Sequence, residues 1–320
     1  ELEADEFAGF ILGKLGATLK QTSSSINLIS SEKDDTYDTH PSKSKRLASI
    51  ETGFNKATGK ETVVYETTTN LQTAEEYFYS AYNKEKLKDY YGAIADLSKA
   101  IELNPNYANA YLNRGWVKHN LKDYYGAISD YNKVIELDPN YAKAYNNRGN
   151  SKSNLKDNYG AIADYTKAIE LEPNDTDAYF NRGVEKKRLE DYYGAIADYT
   201  KAIELDPNDT YAYYNRGNAK GEVKDYKGAI SDYTKAIELD PNFTKAYYNR
   251  GVSKSNLKNY YGAIADYTKV IELDPNYAAA YINRGNRKYY LKDNYGACQD
   301  GRKAQSLGYD ASRLIELACN

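Results

Sequence analysis

Six Asn residues return at an interval of 34: Asn113, Asn147, Asn181, Asn215, Asn249 and Asn283, each opening an "NRG" stretch. A carboxamide donates and accepts at once, so a row of them can hold an extended peptide by its backbone with little demand on side chains. Asn is also a mediocre helix former, at about half a kcal/mol worse than Ala per helical site, so its repetition asks for a reason. The competing expectation is that these amides only bond to neighbouring helices. The Arg of each stretch returns with them, as in Arg148, Arg182, Arg216 and Arg250, and Asp recurs at a second fixed offset, as in Asp164, Asp198, Asp232 and Asp266. An unpaired charge in a packing face costs several kcal/mol, so the Arg and Asp are expected to form structural ion pairs, within a unit or to the next one. Trp116, Phe180, Tyr214 and Tyr248 lie close by in sequence and could anchor a ligand's side chains or pack between helices.

The elements that must position these residues follow from the period. Units begin at residues 74, 108, 142, 176, 210, 244 and 278, and Pro105, Pro139, Pro173, Pro207, Pro241 and Pro275 mark their ends. Within a unit, position 4 is always Tyr, position 8 is Gly or Ala, and position 20 is always Ala. The small residues let two helices of about a dozen residues approach closely around a turn near "LKDYYG", and the Pro stops the second. One such pair cannot bury its apolar face alone, so the units must stack into an α-solenoid.

With mostly Tyr at positions 17 and 24, Ala or Val at 27 and Pro at 32, these units resemble the tetratricopeptide repeat. The resemblance implies an all-α, right-handed solenoid of seven helix-turn-helix units over residues 74–309, with a capping helix in 310–320. It also implies a concave groove lined by positions 2, 5, 6, 9, 12 and 13 of the first helices, which places the six Asn, at position 6, along that groove. The arrangement is similar to the asparagine ladder of repeat domains that hold extended polypeptides. Asn150 with Asn181, and Asn218 with Asn249, match the Asn part of the clamp by which such repeats take chaperone C-termini. No Lys stands at position 5 and no Arg at position 6, so that ligand is not expected. Asn158 and Asn294 depart from Tyr at position 17. Lys at position 11 and the lone His119 are expected at the solvated surface.

Residues 1–56 carry no copy of the repeat, and a Thr-rich linker, 57–73, separates them from it. The segment "ELEADEFAGFILGKLGATLK" reads as a helix with Phe7, Phe10, Ile11 and Leu15 on one face, and Pro41 can open another. "ELEAD" followed by "THPSKSKR" resembles the C-terminal end of gluzincin-type zinc metallopeptidases. The resemblance implies Glu1 as a metal ligand, with Asp5, His40 and Arg46 supporting it. Such zinc chemistry needs about three protein ligands and a base, and the chain has no HExxH, so it is expected to be inactive and to hold no cofactor of its own. Zinc would belong to a longer parent whose domain order is similar to periplasmic β-barrel-assembly-enhancing proteases, which implies a bacterial cell envelope or periplasm. A first residue of Glu and the lack of any Met make a fragment or processed product the expectation.

A net charge of −3, from 43 basic and 46 acidic residues, supplies no basic face for nucleic acid. RNA-reading helical repeats vary their base-reading residues from unit to unit, unlike the uniform position 6. No run approaches the roughly 20 apolar residues of a membrane span, although membrane association stays open. The partner expected is a protein or an extended peptide. Cys298 and Cys319 are too few for a disulfide scaffold; packed free thiols are the expectation, with a single staple between the last helices as the alternative.

Overall fold

A computed structural model describes residues 73–319 and is helical throughout them. The first helices of the seven units are α1 (Ala74–Lys86), α3 (Ala108–Asn120), α5 (Ala142–Asn154), α7 (Thr176–Arg188), α9 (Thr210–Glu222), α11 (Thr244–Asn256) and α13 (Ala278–Tyr290). The second helices are α2 (Tyr90–Leu103), α4 (Tyr124–Leu137), α6 (Asn158–Leu171), α8 (Tyr192–Leu205), α10 (Tyr226–Leu239), α12 (Tyr260–Leu273) and α14 (Asn294–Ser306). A short helix, α15 (Ser312–Ala318), follows. Glu1, Asp5, His40 and Arg46 lie outside the described residues, so the zinc-ligand expectation has no structural counterpart here.

Each turn inside a unit is built by two residues. Position 15 ends the first helix in the left-handed region, at φ 61 to 67°, although it is Lys in six units and Glu190 in the other. Position 16 caps the second helix: the side chains of Asp123, Asp157, Asp191 and their equivalents accept the N–H of the Gly three residues on, at 2.9–3.0 Å. That Gly is required because a Cβ at Gly194 would lie 2.1 Å from Asp191 Oδ2. The second helix stops at Leu of position 30, two residues before the Pro.

Packing within a unit depends on one close approach. Gly217 at position 8 faces the ring of Tyr233 at position 24, and a Cβ there would stand 2.7 Å from a ring carbon; Gly115, Gly149, Gly183 and Gly251 meet Tyr131, Tyr165, Tyr199 and Tyr267 alike. Where the first residue is Ala81, its counterpart shrinks to Leu97. In the last unit both positions are Gly, Gly285 and Gly301, and Leu314 from α15 fills the space. The end of the chain is thereby brought back to α14, where Cys298 and Cys319 form a disulfide with Cα atoms 5.0 Å apart. The expectation of free thiols is corrected: the docking of α15, not visible as a periodic signal, sets their proximity.

The charged residues form a repeated three-helix tie. Arg148 donates to Asp164 of its own unit through Nη2 at 2.6 Å and Nε at 2.9 Å, and through Nη1 to Asn132 Oδ1 of the preceding unit at 2.7 Å. Arg182, Arg216 and Arg250 hold Asp198, Asp232 and Asp266 in the same forked geometry, each also donating to a Thr hydroxyl of the preceding unit at 3.1 Å. The guanidinium also lies over the position 4 ring, 5.4 Å from that of Tyr145. Lys at position 11 is not merely solvated: Lys152, Lys186, Lys220 and Lys254 each bond the second carboxylate oxygen at 2.7–2.8 Å. It lies one helical turn from the Arg on the same face, so one buried Asp serves both cations. In the first unit, where Ser80 replaces Arg, Lys84 alone holds Asp96 at 2.7 Å.

Two substitutions within α9 should have opposite signs. Gly217→Ala collides with Tyr233 and should destabilise the solenoid by about 1–3 kcal/mol. Gly221→Ala, whose Cβ would have only Tyr233 Oη nearby at 3.9 Å, should stabilise it by up to about 1 kcal/mol. Urea unfolding of both variants checks the pair. Arg182→Asp leaves two carboxylates facing each other in a buried site and should cost about 3–5 kcal/mol in the same assay; an unchanged midpoint would show that the tie carries no stability.

Candidate functional site

Consecutive first helices set their position 6 carboxamides side by side, half-buried in all six units that carry Asn. Their surroundings differ. Asn113 and Asn147 have no side-chain hydrogen bond among the described residues. Asn181 donates to Asn150 Oδ1 at 3.2 Å, and Asn249 to Asn218 Oδ1 at 2.8 Å and Tyr214 Oη at 3.1 Å. Asn283 donates to Tyr248 Oη at 2.7 Å. These three spend their N–H groups on the preceding unit and keep the amide oxygen for other partners. Asn215 uses both ends, donating to the Tyr211 carbonyl at 2.9 Å and accepting from Lys187 Nζ at 3.1 Å. The Asn150 and Asn218 pairs, which matched part of a chaperone-tail clamp, are thus bonded to their own Asn neighbours.

The rings divide in the same manner. Trp116 is 39% exposed, whereas Phe180, Tyr214 and Tyr248 are half-buried between units. Phe180 packs 5.7 Å from the Tyr199 ring, Tyr214 4.8 Å from Phe243 and Tyr248 5.2 Å from Tyr277. Burial pushes the Tyr248 phenol up to about 12, so it remains a neutral hydrogen-bonding group. Three of the four rings therefore build the groove wall, and Trp116 stands out from it.

A second row of contacts has no periodic trace in the sequence. At two joints position 12 of one unit meets position 10 of the next, 32 residues on. His119 Nδ1 lies 2.8 Å from Ser151 Oγ, which in turn stands 3.1 Å from the Asn147 carbonyl. The histidine is half-buried with its ring edge-on to Tyr124 at 5.2 Å, and burial lowers its pKa; the expectation of a solvated surface residue is corrected. At the next joint Ser153 donates to the buried Glu185 at 2.7 Å. Further along, Gly221 supplies no side chain and a hollow of about 540 Å³ opens, walled by Asn218, Asn249, Lys187, Tyr192 and Tyr226. Burial, with Arg188 nearby, lowers the pKa of Lys187. Among the described residues no three His, Cys, Asp or Glu cluster as a metal site would need, and no helix is long and apolar enough to cross a membrane.

Comparison with known proteins fits this geometry. No curated protein sequence matches the chain. Among solved structures, YrrB, described as a TPR protein with an unusual peptide-binding site, is 28% identical over 57% of this chain and 95% of its own, with a TM-score of 0.53. MamA is 26% identical over 54% of this chain and 94% of its own, at 0.51. A tetratricopeptide repeat protein from Parabacteroides merdae shares the fold at 22% identity, over 77% of this chain and 99% of its own, at 0.55. A TPR repeat model matches residues 86–122. The tetratricopeptide repeat model matches residues 108–141, 142–175, 176–209, 210–243 and 244–277, so that more than half of the chain is covered in five consecutive units, and the chain belongs to the tetratricopeptide repeat family.

Proposed function

We propose that the chain is a protein-interaction scaffold that holds an extended peptide, or an extended segment of a partner protein, along its row of position 6 Asn. The observation that carries this is the unspent hydrogen bonding of that row. Asn113 and Asn147 offer both ends of a half-exposed carboxamide, and Asn181, Asn249 and Asn283 offer their oxygens. In the free chain these half-exposed amides bond water, and a ligand that replaces that water along the row in register gains about 0.5–1.5 kcal/mol per hydrogen bond. A peptide backbone, with alternating donors and acceptors, is the chemical match. The peptide-binding site named for YrrB supports the same use of the fold. Trp116, exposed beside Asn113, is the ring placed to anchor a side chain.

A second reading keeps the repeats as the recruiting arm of a zinc metallopeptidase. It rests on "ELEAD" with Glu1 and Asp5 and on His40 and Arg46, and it is tested by the sequence preceding Glu1 in the natural protein, where a HExxH helix is expected; its absence would remove that reading. The Cys298–Cys319 disulfide supports an oxidising compartment such as the periplasm.

Replacing Asn113, Asn147 and Asn181 together with Ala sacrifices only one internal hydrogen bond, that of Asn181 to Asn150. Helicity and urea midpoint should therefore change little, while affinity for an unfolded reporter peptide, followed by fluorescence anisotropy, should fall at least tenfold. Unchanged affinity would reduce the row to a structural feature.

A further inference from the structure

Position 17 carries Tyr in five units, and in the sixth unit its ring covers the end of the next first helix. Tyr260 stacks on Tyr290, at position 13 of the following unit, with ring centres 5.6 Å apart, and Arg287 lies over the same ring at 5.6 Å. In the third unit Asn158 takes the place of that Tyr, and the residue at position 13 of the next unit is Arg188. A cavity of about 420 Å³ opens there, lined by Ser153, Asn154, Lys156, Asn158 and Arg188. Two of these side chains are cations, two are amides and one is a hydroxyl; no carboxylate lines the space.

The guanidinium is held in place from behind. Arg188 Nη1 donates to Glu185 Oε1 at 2.7 Å and to Ser153 Oγ at 2.9 Å, and Glu185, 1% exposed, is itself held by Ser153 at 2.7 Å. Nη2 and Nε of Arg188 make no hydrogen bond among the described residues, so its second edge keeps its donors for a ligand. Asp157, in the loop just before Asn158, spends its carboxylate on the Gly160 N–H as a helix cap, and Asp191, in the loop after Arg188, does the same for Gly194. The cavity also continues the groove. Asn154 lies seven residues beyond Asn147, and Arg188 seven beyond Asn181, which is two helical turns along the same face, or about 10 Å.

We infer that this cavity is a subsite for one acidic side chain, an Asp or Glu carboxylate, of the peptide held along the Asn row. The inference rests on the proposed groove function and adds a sequence preference to it. A planar guanidinium with a free edge matches a carboxylate, and the amides of Asn154 and Asn158 can donate to the remaining lone pairs. Because the row reads only backbone, a peptide can slide until its carboxylate reaches Arg188.

The test compares two fluorescein-labelled dodecapeptides of Ala, Ser and Thr, one with a single central Asp and one with Asn in its place. The wild-type chain should bind the Asp peptide about tenfold more tightly. Asn158→Tyr fills the cavity with the side chain other units carry and leaves the Arg188–Glu185 pair intact; it should abolish the preference while binding the Asn peptide as before. Arg188→Gln should do the same, and Asn158→Tyr decides the matter if Arg188→Gln fails to fold. Equal binding of the two peptides by the wild type, or a preference that survives Asn158→Tyr, would overturn the subsite and leave the groove function standing. Binding of neither peptide would overturn both.

Discussion

The solenoid depends on the buried carboxylate at position 23. In six units an Arg and a Lys, one turn apart on the first helix, share that Asp on the second helix, and the Arg reaches back to the preceding unit. Removing the Asp, 3–4% exposed in these six units, would leave two cations facing each other without a counter-charge, whereas losing one cation still leaves an ion pair, as Lys84 with Asp96 shows in the first unit. The tie fixes the angle within a unit and the register between units together. An array that must hold six carboxamides in line needs both, since each first helix touches the next through only a few side chains.

Much of this was legible in the sequence because it is local to the 34-residue period. Gly at position 8 and the ring at position 24 vary together in the first six units: Ala81 stands with Leu97, and Gly217, like the other four Gly, with a ring such as Tyr233. Such compensation marks a contact without any structure. The pairing of Arg with Asp followed from the cost of burying either alone. The Lys at position 11 reads as solvated because a long charged side chain on a helix gives no sign of which way it turns; the second oxygen of the Asp draws it inward.

What the sequence did not disclose depends on the offset between neighbouring units. The contact of position 12 with position 10 of the next unit joins residues of different type at the two joints that make it, His119 with Ser151 and Ser153 with Glu185, so no recurring letter announces it. The disulfide is set by how α15 folds back to place Leu314 against Gly285, a non-repeating event at the chain's end. The row of Asn was visible, but its division was not. Whether an amide is spent on a neighbour is decided by position 5 and position 9 of the preceding unit, where Tyr214, Tyr248, Asn150 and Asn218 stand.

Function on this scaffold separates into a uniform part and a variable part. Position 6 carries the same carboxamide in six of the seven units and suits a backbone, although its neighbours spend it differently, whereas positions 12, 13 and 17 change from joint to joint and shape the hollows at Gly221 and Asn158. The central claim is that the uniform part recognises main-chain amides. Its most direct measurement is the affinity of a bound peptide against that of its depsipeptide analogue, in which alternate amides are replaced by esters and the side chains are kept. Recognition through the Asn row predicts at least a tenfold weaker depsipeptide, as lost N–H donors leave amide oxygens of the row unpaired. Equal affinity of the two would contradict it and assign the binding to side chains alone.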